Sequence, residues 1–204
     1  MKKHLVEAIG TFFLVLTIPL AVTYAADLAP LAIWAVLMVM IYAGGHVSGA
    51  HFNPAVSVAV RVRGKLSLTE MFGYWVAQLV WWIIAAFVAI YLLWWALTPW
   101  VLSASLGQIM LAEFLFTFAL AWVVLHTATD NNTENNSFYG LAIWFTVLVG
   151  AYAVWSISGG AFNPAVTVGG SIAGIFSRST LWLHIVGQLL GAFCAAQMYL
   201  VVKK

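Results

Sequence analysis

AHFNPAVSVAV, residues 50–60, and GAFNPAVTVGG, residues 160–170, share the word Phe-Asn-Pro-Ala-Val, with Asn53 and Asn163 separated by 110 positions. Asn is a favoured helix N-cap, and Pro is favoured at the first helical position because it lacks an amide that would go unpaired there. Asn53-Pro54-Ala55 and Asn163-Pro164-Ala165 therefore each write a helix start. Neither helix is long enough to cross a bilayer. From Asn53 to Arg63 there are 11 residues, about 16 Å of helix, roughly half the hydrocarbon thickness.

The surrounding sequence demands such a comparison. Of 204 residues, 64% are hydrophobic and 7% charged, with a mean hydropathy of +1.01, whereas a soluble domain carries about 25% charged residues. No Asp, Glu, Lys or Arg lies between Glu7 and Asp27, between Glu70 and Glu113, or between Arg178 and Lys203. Each gap holds a membrane crossing, since a spanning helix needs about 20 apolar residues; the gap after Glu70 holds two, joined by TPWVLSASLG. The net charge of +2 is too small for a nucleic-acid partner, and the lone Cys194 excludes an internal disulfide. The N-terminus has the basic head and apolar middle of a signal peptide, but Glu7 opens its apolar stretch and belongs to a repeat.

That repeat extends beyond the shared word. VEAIGTFFLVL (6–16) resembles AEFLFTFALAW (112–122), pairing Glu7 with Glu113 and Thr11 with Thr117, and WVAQLV (75–80) resembles IVGQLL (185–190), pairing Gln78 with Gln188. Three landmarks in one order predict a single membrane domain of two tandem repeats, about 1–100 and 101–204. Helices are expected near 5–25, 29–45, 68–96, 104–127, 137–156 and 180–202. Ser67 with Glu70 forms a capping box, and Ser137 and Ser179 or Thr180 are the expected caps of the fifth and sixth helices. With the N-terminus cytoplasmic, seven of eight Lys and Arg residues lie inside and only Arg178 outside, which orients both termini to the cytoplasm of a cell membrane. The sequons at Asn131 and Asn135 then face the cytoplasm. Trp94, Trp95 and Trp100 suit an outer interfacial belt, and Trp81 and Trp82 are expected to face lipid.

Three crossings per repeat turn the second repeat upside down. The two Asn-Pro-Ala segments enter from opposite faces as half-helices meeting near the midplane. Irregular backbone at that depth is tolerated only where protein buries it or water lines it, so the sequence predicts a polar passage there, with the Asn amides as donors. Each half-helix presents about +0.5 of a charge at its N-terminus. Two such ends repel a cation by on the order of 4 kcal/mol at about 4 Å and an effective dielectric of about 20, which favours uncharged permeants.

The residues that carry these features, GHVSGAHFNPAV (45–56), SGGAFNPAV (158–166), the two Glu-x-x-x-Thr-Phe words and Gln78, resemble the aquaporin and glycerol-facilitator family, the major intrinsic proteins, over nearly the whole chain. The resemblance implies an all-α membrane fold of six spanning helices and two re-entrant half-helices in an inverted 3+3 arrangement. It also implies a pore in every subunit of a homotetramer and passive passage of water or small neutral solutes through the bilayer. The family's constriction positions fall on Ile33, on Ala151 (Tyr152 if the alignment slips by one), on Gly160 and on Val166. Most members carry Arg at the last of these. The expected filter is therefore apolar and comparatively wide, open to glycerol-sized solutes, without the aromatic-plus-arginine pattern. Glycerol facilitators usually carry Asp where this chain has Thr167.

Glu7 and Glu113 could mark an ion or proton path, but their matching positions favour bracing of the half-helix loops. His51 and His46 lack the further ligands a metal site needs, and His51 is expected to line the pore or brace its loop. His184 either tunes permeation or bonds to backbone. Gly187 and Gly191 form a small-xxx-small pair for helix contact, and Gly10, Gly73 and Gly140 are expected to serve similarly. No nucleophile-base set, phosphate loop or metal constellation is written in the chain, so neither catalysis nor a cofactor is expected. Two rival readings are a coupled secondary transporter, which also uses broken helices, and a non-conducting membrane scaffold.

Overall fold

The computed structural model describes residues 1–94 and 104–203. Eight α-helices are present among them: α1 (Lys2–Tyr24), α2 (Ala29–Ser48), α3 (Pro54–Val62), α4 (Leu68–Leu93), α5 (Leu106–Ala128), α6 (Tyr139–Ser158), α7 (Pro164–Ile172) and α8 (Leu181–Val202). Short 3-10 turns occupy Ala26–Leu28 and Asn131–Thr133. Six helices are long and apolar enough to cross a membrane; α3 and α7, at nine residues each, are not. Trp95, Trp100 and the 98–103 part of the expected turn lie outside the described residues. Trp94 is exposed just beyond α4.

Packing repeats with the sequence. Helix α1 lies against α2 and α4 as α5 lies against α6 and α8, and each half-helix crosses to the other repeat, α3 onto α8 and α7 onto α4. Val39, Val76, Phe87, Leu111, Phe145 and Val149 face outward, an apolar surface suited to lipid. Because lipid is as apolar as leucine, helix association needs close packing. Gly187 and Gly191 supply it: a Cβ at either would meet the α5 backbone, Met110 O at 2.6 Å and Phe114 O at 2.3 Å. Gly10, Gly73 and Gly140 serve differently from expectation, since they make room for the rings of Phe52, His4 and Tyr42 rather than for a helix backbone. Trp82 also departs from expectation. It is buried against Val15, Ala85 and Ala165, because α7 covers that face of α4.

The helix starts follow local chemistry. Ser67 and Glu70 form the capping box, and Ser105 with Gln108 forms a second at α5. Ser137 caps nothing: Asn136 Oδ1 accepts from Phe138 N–H, Tyr42 Oη accepts from Leu141 N–H, and Tyr42 in turn donates to the Ser137 carbonyl. Thr180 stands at the N-cap of α8, but its hydroxyl donates backward to Ser177 O rather than forward into the helix. Four basic residues collect at one end. Lys3 pairs with Glu70, Lys203 with Asp130, Arg63 donates to Thr129, and Lys65 to Asn131.

Candidate functional site

The two half-helices meet tip to tip. Asn53 and Asn163 hold extended φ/ψ at the N-caps of α3 and α7, with Pro54 and Pro164 at the first helical positions. Asn53 Oδ1 accepts from Ala55 N–H at 2.8 Å, and Asn163 Oδ1 from Ala165 N–H at 2.9 Å. Each Nδ2 then reaches across: Asn53 donates to Phe162 O at 3.0 Å, and Asn163 to Phe52 O at 2.9 Å. A carboxamide has two N–H donors, so one on each asparagine is left over. Both asparagines line a common cavity.

This geometry forces the preceding loops into costly backbone. After the left-handed caps Gly49 and Gly159, φ is +48° at Ala50, +47° at Phe52, +62° at Gly160 and +48° at Phe162. Left-handed conformation costs a non-glycine residue roughly 1–2 kcal/mol, so something must hold it. Glu7 lies beneath the first loop, accepting from Ser48 Oγ, His51 N–H, Phe52 N–H and Gln78 Nε2 at 2.7–2.9 Å. Glu113 repeats the pattern with Ser158 Oγ, Ala161 N–H, Phe162 N–H and Gln188 Nε2 at 2.6–3.1 Å. Both carboxylates are fully buried. The repeats differ in two supports: His51 Nδ1 lies 2.9 Å from Ser57 Oγ, whereas in the second loop Gln188 spans Glu113 and Thr167, and Tyr74 Oη donates to Ser48 O where His184 Nε2 lies 2.8 Å from Ser158 O.

Free space follows the tips. A broad vestibule at the basic end, lined by Lys3, His46, Lys65 and Asn131 among others, shares Gly49, His51 and Tyr139 with an inner cavity. The inner cavity, about 30 Å³, reaches both asparagines. Beyond them an outer cavity of about 10 Å³ is lined by Ile18, Ile33, Gly160, Val166, Trp155 and Phe176. A cavity needs about 10–15 Å³ to hold a water, so the inner cavity has room for water and the outer one is at that limit.

Of the four residues expected at the constriction, Ile33, Gly160 and Val166 line the outer cavity; Ala151 does not. Ala151 is fully buried behind Gly160, whose missing Cβ would stand 2.9 Å from Ala151 Cα. Tyr152 points outward, its hydroxyl donating to Asp27 O. Trp155 takes the lining place on α6, which departs from helical geometry at Val154 (φ −126°, ψ 17°). Trp34, Trp155 and Phe176 also stand on the wall of the outer cavity. Counting back from the Asn-Pro-Ala words does not find these three; for Trp155, the kink at Val154 leaves no mark in composition. His184 is fully buried, its ring nitrogens 3.0 Å from Thr180 O and 2.8 Å from Ser158 O.

Comparison with known proteins agrees with this geometry. The chain matches the Major intrinsic protein family over residues 1–154 and 139–204. It is 35% identical to "Glycerol uptake facilitator protein-like 6" of Lactiplantibacillus plantarum over 97% of this chain and 98% of that protein. It is 34% identical to "Aquaporin NIP1-3" of Oryza sativa subsp. japonica over 99% of this chain and 74% of that one. Among solved structures, the aquaglyceroporin of Plasmodium falciparum superposes with a TM-score of 0.82 at 21% identity, covering 97% of this chain and 94% of that chain, a likeness of fold.

Proposed function

The chain belongs to the major intrinsic protein family, and from that premise we propose that its conduction route runs from the basic vestibule, past Asn53 and Asn163, to the outer cavity. It is a multi-pass membrane protein and a passive channel for water and small solutes, not an enzyme. The observation that carries the route is the reciprocal bonding of the two asparagines. Each Oδ1 and one Nδ2 hydrogen are occupied by backbone, which fixes the side chain and leaves one N–H on each of two residues that line the cavity.

In this reading Glu7, Glu113 and His51 hold the loops, so that a permeant meets a prearranged pair of donors rather than mobile ones. The half-helix termini oppose cations at the same place. Ile33, Gly160 and Val166, with Ala151 supporting Gly160 from behind, form the outer filter. Without a fixed cation at Val166, size and hydrogen bonding decide entry, and glycerol-sized solutes are the upper limit. The two repeats act as one domain in a cell membrane, the basic end and both termini cytoplasmic by the excess of Lys and Arg there. Four copies assemble, each with its own route.

Reconstitution into liposomes tests this. Osmotic water flux and glycerol uptake above empty vesicles, independent of any ion gradient, are expected. Uptake that needs a proton or sodium gradient would indicate a coupled transporter, and flux equal to empty vesicles a scaffold.

A further inference from the structure

Six buried side-chain polar atoms have no hydrogen-bond partner among the described residues, and four of them fall on two pairs that match between the repeats: Thr11 Oγ1 with Gln78 Oε1, and Thr117 Oγ1 with Gln188 Oε1. All four residues are fully buried. Thr11 lies one helical turn beyond Glu7 on α1, and Gln78 of α4 reaches Glu7 Oε2 at 2.9 Å. One turn further on, Val15 packs with Trp82, so Thr11 stands beside Gln78 in the seam between α1 and α4. Thr117 holds the matching place between α5 and α8, one turn beyond Glu113, which Gln188 reaches at 2.7 Å.

The neighbouring groups do not satisfy these atoms. Helical threonines elsewhere in the chain turn the hydroxyl back: Thr17, Thr23, Thr127 and Thr146 each donate to the carbonyl four residues earlier at 2.7–2.9 Å. Thr11 and Thr117 do not. The carboxylates are full, because each oxygen of Glu7 and Glu113 already accepts two donors, one for each lone pair. Turning the glutamine amide over would set its oxygen against a carboxylate, so Nε2 stays on the glutamate and Oε1 is the end left over. Buried polar groups without partners are rare in folded proteins. A hydroxyl in need of an acceptor and an amide oxygen in need of a donor are both answered by a water, which requires at least two polar partners.

We propose that each repeat encloses one fixed water, held between Thr11 Oγ1 and Gln78 Oε1 in the first and between Thr117 Oγ1 and Gln188 Oε1 in the second. The threonine donates to the water and the water donates to the glutamine. This keeps the amide turned so that Nε2 serves the glutamate, which in turn holds the loop before each asparagine. The two waters are structural. None of the four residues lines the vestibule or the inner or outer cavity, so these sites do not depend on the conduction route.

A crystal structure of the full chain, at a resolution that orders internal water, should show density about 3 Å from both Oγ1 and Oε1 in each repeat. A seam without that density, whether the hydroxyl turns to Glu7 O or Glu113 O or bonds directly to the glutamine, overturns the proposal. Denaturant unfolding of Thr11→Val and Thr117→Val in detergent gives a second reading, since valine keeps the shape and deletes the group that donates to the water. Each should lower the folding equilibrium constant about tenfold, because a buried amide oxygen loses its partner. Thr146→Val, which loses only a bond back to Ala142 O, should change it no more than about twofold. Unchanged or increased stability in the first two variants, or an equal loss in Thr146→Val, overturns the proposal. If neither buried valine variant folds, the wild-type density decides alone.

Discussion

Asn53 and Asn163 are each bonded to the loop that presents the other, Nδ2 to Phe162 O at 3.0 Å and Nδ2 to Phe52 O at 2.9 Å. The tips of α3 and α7 are thus one structural unit, although 110 residues separate them. Asn163→Asp keeps the capping oxygen and loses the crossing donor, whereas Asn163→Ala loses both. The cap contributes about 1 kcal/mol and the crossing bond about 1 kcal/mol, so in detergent unfolding the alanine variant should lose about twice what the aspartate variant loses from these bonds. Equal losses would show that the cap contributes nothing, and no loss in the aspartate variant that the crossing bond contributes nothing.

Glu113 takes four donors in a site with no exposure. Glu113→Gln turns one acceptor into an amide facing N–H groups and leaves buried donors unpaired, at about 1–3 kcal/mol each. Thermal unfolding should show a loss of at least about 3 kcal/mol, with water flux falling as the second loop loosens. Glu7→Gln should do the same to the first loop. The exposed Glu134 provides the comparison, since Glu134→Gln should change stability by no more than about 0.5 kcal/mol.

Gly191 touches the α5 backbone so closely that a methyl group would lie 2.3 Å from Phe114 O. A backbone carbonyl cannot swing away as a side chain can, so α8 must shift. Gly191→Val should cost about 3 kcal/mol or more by overpacking and reduce folded yield, measured by size-exclusion chromatography. Gly107, with nothing within 4 Å, should tolerate alanine.

Val166 lines the tight outer cavity. Val166→Arg places a long cation where the other walls are apolar, and it should cut glycerol permeability well below wild type while sparing water. Parallel loss of both fluxes, or no change, would remove Val166 from the filter.

Asp130 ties the chain's end to the loop after α5. Its carboxyl accepts from Lys203 Nζ first, then from Asn132 N–H, and these hold its pKa well below the usual carboxylate range. A depressed folded value means the tie stabilises above the ordinary aspartate pKa of about 3.9 and is lost only as pH falls through the folded value. Hydrogen exchange of residues 199–203 should therefore be flat from pH 7 to about pH 5 after correction for intrinsic rates. Asp130→Asn should raise exchange across that whole window.

Much of this was legible in the sequence because the membrane restricts the options. Gaps between charges gave four of the six spans within a few residues, the repeat supplied the others, and Asn-Pro gave both half-helices, since few residue pairs write a helix start so plainly. The repeated Glu-x-x-x-Thr words paired Glu7 with Glu113, and the structure sets both beneath strained loops. The outer cavity was less legible. Ala151 and Trp155 lie one turn apart on α6, and the local break at Val154 lies between them, a feature that the spacing from the Asn-Pro-Ala word does not announce. Trp82 was misplaced for a related reason: α7 folds back to cover its face, a contact between repeats that periodicity within α4 cannot reveal. Ser137 and Thr180 matched the composition of caps, but Asn136 takes the place of the first and the hydroxyl of the second turns back to Ser177 O.

Ala161 lines both cavities, so a group attached there stands in the proposed route. In a Cys194→Ala background, Ala161→Cys labelled with a small thiol reagent, with mass spectrometry for occupancy and stopped-flow swelling for water flux, tests the route most directly. Water flux should fall toward that of empty vesicles as occupancy approaches completion. Full labelling with flux unchanged, or a conducting protein that the reagent never labels, would contradict it.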